Sequence, residues 1–270
     1  MDAAVQSKSR GAVERPRRFC NVERRARPSG CCLELRNPPD RPDLATYSQL
    51  EQLALGREPT WNSPDITTNN TLPWGPWPPG VEVRVRNLSA TASAVNALVH
   101  LARSPFGIGL DHVPQSSKVL TLAPSEERWI SFPLPAPVPG ADPNMSVVAT
   151  IEHPSDEIRG NNRGEQAVAG GTTTDVGRTP VIRFPLRNPD PVAQEITLAV
   201  LTNALGATVA PAAHAFAGYE QIQASLTLHV PPGLHGGGGG GAPLHETTIL
   251  ARGPAGEVIG GVTYLLWVDD

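Results

Sequence analysis

Short runs in which apolar and polar residues alternate dominate the chain after residue 80. Over residues 81–86, Val81, Val83 and Val85 fall on one face and Glu82, Arg84 and Arg86 on the other, the period of a half-buried strand. The run turns at Arg86-Asn87, crosses a small polar connection and resumes as a second apolar run that ends at Leu101. The same pattern returns when Asn188 is aligned with Asn87: Arg86/Arg187, Val85/Leu186, Ala92/Ala193, Val95/Ile196 and Val99/Val200 come into register. Repetition of this length predicts two copies of one β-domain.

The alternation predicts strands over 81–86, 94–102, 118–122, 128–134, 146–152 and 165–169 in the first copy. In the second it predicts strands over 181–187, 195–202, 208–211, 221–230, 246–251 and 258–268. Pro124 and Ser125 turn the chain into a strand whose core residue is expected at Trp129 or its neighbours. Phe216-Ala-Gly-Tyr-Glu220 echoes Leu122-Ala-Pro-Ser-Glu126 at the matching place. Residues 104–109, SPFGIG, read as a loop with a buried anchor in Phe106 or Ile108. Gly160-Asn161-Asn162 supplies residues that tolerate a left-handed turn. Gly236 to Gly241 carries no preferred conformation and reads as a flexible loop tip.

Ahead of the repeat, residues 43–55 carry the single helical period, with Leu44, Tyr47 and Leu50 on one stripe, Asp43 as N-cap and Gly56 as stop. Residues 59–79 hold Trp61, Trp74 and Trp77 among six prolines, which predicts an extended leader. Its indoles either plug the end of a sandwich, as a clasp, or form an exposed aromatic surface for sugar or polyproline ligands. The expected organisation is a disordered basic arm (1–42), a short helix and Trp/Pro-rich leader (43–79), a first sandwich (80–170), a linker (171–177) and a second sandwich (178–270).

Composition agrees with this pattern. Pro 29 and Gly 26 exceed a fifth of 270 residues, too many for long helices. The net charge of −4 conceals an asymmetry: eleven Lys+Arg against seven Asp+Glu over residues 1–57, and eleven against nineteen beyond. Only Phe19 interleaves with the arginines of the arm, so a stacking platform is missing and no nucleic-acid partner is expected. No apolar run is long enough for a transmembrane helix, and no signal peptide is read at the start. Cys20, Cys31 and Cys32 all lie in the arm without a zinc spacing, and the β-region has no cysteine.

Candidate chemistry is sparse. His100, His112, His153, His214, His229, His235 and His245 are dispersed, and a six-glycine tip beside the last three is a poor frame for a metal. Asp142, Asp156 and Glu157 with Asn161 or Asn162 do not have EF-hand spacing, and turn capping accounts for them. Neither a nucleophile elbow nor a phosphate loop is present. No catalytic residue, metal or cofactor is therefore expected.

The Arg86-Asn87 corner, the Leu122-Ala-Pro-Ser-Glu126 turn, Thr150-Ile151-Glu152 and the Asp156 to Asn162 hairpin resemble the immunoglobulin-like CARDB and related domains of bacterial surface and secreted proteins. The resemblance covers residues 80–170 and, more loosely, 178–268, where the Asn-Asn hairpin is replaced by Gly260-Gly261. It implies a non-catalytic spacer or binding module. The expected fold is all-β, two tandem immunoglobulin-like sandwiches, with a protein partner first, a polysaccharide held by Trp61, Trp74, Trp77 or Trp129 second, and a place as accessory subunit of a larger bacterial surface or tail-like assembly third. Trp61, Trp74, Trp77, Phe106 and Ile108 are the expected binding residues, because they lie where the two copies differ.

Overall fold

The computed structural model describes residues 41–68, 80–134, 144–156, 158–170, 179–203, 205–231 and 244–267. Residues 1–40 of the basic arm with its cysteines, Trp74, Trp77, the 171–177 linker, the glycine tip, His235, Asp142 and Glu157 lie outside those residues.

The chain is nearly all β, the class that the alternation predicts. Strands β1 (Leu44–Ala45) and β2 (Ile66–Thr68) precede β3 (Gly80–Asn87), β4 (Ala94–Pro105), β5 (Val113–Leu122), β6 (Glu127–Pro133), β7 (Met145–Glu152) and β8 (Arg163–Gly170). There follow β9 (Val181–Arg187), β10 (Gln194–Asn203), β11 (Thr208–Ala210), β12 (Ala213–Phe216), β13 (Gln221–Thr227), β14 (Leu244–Arg252) and β15 (Val258–Trp267).

The helix differs from expectation. Helix α1 runs only over Gln49–Ala54, capped by Ser48, whose Oγ accepts the Glu51 N–H at 3.3 Å. Residues 44 and 45 instead form β1, pairing with Asn87 and Arg86 at the edge of β3. Tertiary pairing wins because one helical turn adds little stability alone, whereas this edge offers backbone partners and buries Leu44 completely. Asp43 does not cap the helix; its carboxylate accepts the Asn161 side-chain amide at 2.9 Å.

Among the described residues the strands form three sheets. In one, β3 pairs with β6 along one side and with β1 and β2 along the other. A second, three-stranded sheet has the order β11-β13-β9. The third has eight strands in the order β12-β10-β14-β15-β8-β7-β4-β5, so it draws on residues from both halves of the strand series. The two halves meet where β8 and β15 run parallel, with Val168 opposite Thr263 and Ala169 opposite Tyr264.

The two cores lie on opposite faces of this sheet. Val147, Ala149 and Ile151 of β7 belong to the first core, with Val81, Val83, Val85, Ile130 and Phe132 from the β3–β6 sheet. Val147 pairs with Gln166, so the next residue of β8, Ala167, points the other way by strand alternation. Ala167 and Ala169 indeed enter the second core, beside Val262, Tyr264, Ile249 and Ile196, under Phe184 and Leu186 of β9.

Candidate interaction surface

Two corners of closely similar build end β3 and β9. Where β3 ends, the Asn87 side-chain amide donates to the Ala92 and Ala123 carbonyls at 2.8 and 3.0 Å, and its Oδ1 accepts the Ser89 N–H at 3.2 Å. After β9, Asn188 donates to the Val192 and Ala217 carbonyls, both at 2.9 Å, and accepts the Asp190 N–H at 3.0 Å. Glu126 and Glu220 close the facing turns by accepting the Ala123 and Ala217 N–H groups, each at 2.7 Å. Ser125 and Tyr219 take the same left-handed backbone, φ 58° and 59°. The asparagines are turn residues, as their recurrence in the sequence implies.

Phe106 and Ile108 are interior. Both belong to the second core although their loop leaves the first copy's β4. The Ile108 N–H donates to the Pro185 carbonyl and the Ile108 carbonyl accepts the Arg187 N–H, each at 3.0 Å, so the loop adds to the free side of β9. This closeness requires glycine: a Cβ at Gly109, φ +72°, would collide with the Arg187 carbonyl. Asp111 then pairs with the Arg187 guanidinium, and His112 lies 3.6 Å from Glu165 back on β8. Burial alone would push the Glu165 carboxyl up. His112, Arg163 and a 2.9 Å hydrogen bond donated by Ser146 outweigh that and hold it below the usual range.

Trp61 is interior too, 1 % exposed. Its N–H donates to Thr263 Oγ1 at 2.9 Å and its carbonyl accepts the Ala167 N–H at 2.9 Å, which wedges the leader between β8 and β15. The indole lies against Gly261, where any Cβ would meet the ring. Its Nε1 finds no partner among the described residues. Trp61, Phe106 and Ile108 thus tie the leader and the loop after β4 into the second core.

Trp129 takes the opposite position. Ile130 and Phe132, opposite Val83 and Val81, fill the first core, and alternation turns Trp129 outward at 44 % exposure. It stands across from Arg84, whose guanidinium carbon is 5.6 Å from the ring centre. The wholly buried Asp65 fixes that guanidinium through Nε at 2.8 Å and Nη2 at 2.5 Å, and also pairs with Arg86. Ser131 donates to Glu82 at 3.0 Å on one flank, and Glu127 approaches Arg84 at 4.0 Å on the other.

The Asp156 hairpin caps backbone. Its carboxylate accepts the Leu44 N–H at 3.1 Å, the Ile158 N–H at 3.2 Å and the Asn162 amide at 3.0 Å, while burial raises its pKa above the ordinary carboxylate value. No trio of metal-binding side chains gathers among the described residues, and no described helix is long and apolar enough to cross a membrane.

No protein-family model matches the chain, nor does any curated protein. Solved structures similar to it are Ig-like, PapD-like and other bacterial β-sandwich proteins at low identity. A PapD-like domain of human CEP192 is 12 % identical over 37 % of this chain and 80 % of that one, TM-score 0.30. Escherichia coli alpha-2-macroglobulin activated by porcine elastase is 14 % identical over 85 % of this chain and 22 % of that one, TM-score 0.30. The CupB6 tip adhesin of Pseudomonas aeruginosa is 9 % identical over 85 % and 99 %, TM-score 0.23. Likeness at this level assigns neither a partner nor an activity.

Proposed function

We propose that the chain is a non-catalytic interaction scaffold, a pair of immunoglobulin-like, CARDB-like sandwiches over residues 80–170 and 178–270 that presents its sheet edges to a protein partner. The observation that carries this reading is the shared eight-stranded sheet. Asp65, Asn87, Asp156, Glu165 and Asn188, the side chains best suited to chemistry, are committed to holding backbone or neighbouring side chains in place. A frame stiffened in this way transmits position and presents surfaces. Its terminal strands are β5 and β12, and Val113 and Val119 of β5 are 59 % and 64 % exposed. Such an edge is where another chain adds by backbone hydrogen bonding.

A photo-crosslinking residue at Val119 tests this in the native cell. A discrete adduct with one protein, absent when the crosslinker replaces the wholly buried Val83, is the expected outcome. Absence of any adduct from Val119 would contradict the reading.

A further inference from the structure

We propose that Trp129 is the platform of a saccharide-binding site on the outer face of the β3–β6 sheet. The fold does not require an indole there. Counting from the two matched corners, Trp129 lies three residues after Glu126 and pairs with Arg84; Gln223 lies three residues after Glu220 and pairs with Pro185. The second sheet is therefore completed with a polar side chain at the corresponding position. The first sheet instead exposes its largest side chain to water, at a cost in apolar surface left uncovered.

The indole is also set rigidly. Arg84 stacks with it, and buried Asp65 holds Arg84 by two hydrogen bonds, so little side-chain freedom remains to be lost on binding. Asp65 comes from the leader, which means the platform is assembled from two separate stretches of chain.

The surroundings choose the ligand. On this face the neighbours of Trp129 are Glu82, Arg84, Arg86, Glu127, Ser131 and Pro133, of which Pro133 alone is apolar. A protein hot spot gathers several apolar anchors ringed by contacts that exclude water, which this face lacks. A pyranose has one apolar C–H face about the size of an indole, with hydroxyls around its rim. One pleat repeat away, about 6.8 Å along each strand, stand Glu127 and Ser131 on β6 and Arg86 and Glu82 on β3. The Glu127 side chain, 60 % exposed, is open to accept from a sugar hydroxyl, and a hydrogen bond to a charged acceptor is among the stronger kinds.

The full chain is titrated with cellohexaose, chitohexaose, xylohexaose, mannohexaose and maltohexaose, followed by tryptophan emission and by calorimetry. At least one sugar is expected to bind and to shift the emission. Trp129→Ala should weaken that binding by about tenfold or more, Trp129→Phe less, and Glu127→Gln several-fold. The melting temperature of Trp129→Ala should stay within about a degree of the parent, since surface changes of this kind have small effects. Absence of binding to every sugar at about millimolar concentration, the lower end of useful affinity, overturns the proposal. So does binding that survives Trp129→Ala. A decaproline probe that binds through Trp129 while all five sugars fail would reassign the face to a peptide.

Discussion

Val168 and Thr263 face each other across a parallel pairing, and through them β8 and β15 join the strands of residues 94–170 to those of residues 194–267 in one sheet. The two cores lie on opposite faces of that sheet. Neither core faces the other. The connection is made by the sheet, by the Phe106–Ile108 loop crossing to β9, and by Trp61.

Thr263 supports the wedge directly, since its Oγ accepts the Trp61 N–H and also lies 2.9 Å from Thr248 Oγ1. Thr263→Val keeps the shape and removes the acceptor. The buried Trp61 N–H is then unpaired, which should cost about 1–3 kcal/mol. Urea unfolding measures this. A midpoint unchanged from the parent would show that the wedge does not depend on that hydrogen bond.

Gly109 and Gly256 provide a matched pair, with φ +72° and +81°. A Cβ at Gly256 meets nothing within 4 Å, whereas one at Gly109 strikes the Arg187 carbonyl. Gly256→Ala should cost only the left-handed backbone term, roughly 1–2 kcal/mol. Gly109→Ala should cost clearly more and should expose the crossing loop to protease. Equal melting temperatures for the two variants would show that the crossing loop yields easily.

Acid should weaken the junction through Glu165. Its folded pKa lies below its ordinary value, so its contribution is present above the unfolded pKa and is lost as pH falls through the folded one. Glu165→Gln should therefore flatten the decline of stability on acidification while lowering stability at neutral pH. Asp156 acts in the opposite sense. Burial raises its folded pKa, so the stability gained from its neutral form is present below its unfolded pKa and fades as pH rises through the folded one. Denaturant titrations from neutral pH down to the carboxylate range read both. Parallel curves for parent and Glu165→Gln would remove Glu165 from the account.

Much of this was legible in the chain. Val81, Val83 and Val85 declared their inward face by period two, and Asn87 and Asn188 declared the corner by recurring with the same companions. Local pattern was silent on partners distant in sequence. Nothing near Leu44 signals that it will pair with Asn87, so a helical stripe was read where β1 forms. Trp129 shows the limit most plainly: its size suggested the core, but register with Arg84 placed Ile130 and Phe132 inside. The interior position of Phe106 and Ile108 in the other copy's core was likewise invisible, although the glycines on either side of Ile108 hinted at a close backbone approach. Strand β12, Ala-His-Ala-Phe, is too short and too poor in β-branched residues to register as a strand.

Strands joined in one sheet should behave as a single mechanical unit, and Leu186→Asp is the test. Leu186 is fully buried in the second core and bridges to Ile108 from the first copy's loop. An unpaired carboxylate there should destabilise the second core severely. Amide hydrogen exchange read separately on β3 and β9 then gives the answer. Both strands should lose protection together; full protection of β3 beside an exchanged β9 would instead describe two independent sandwiches.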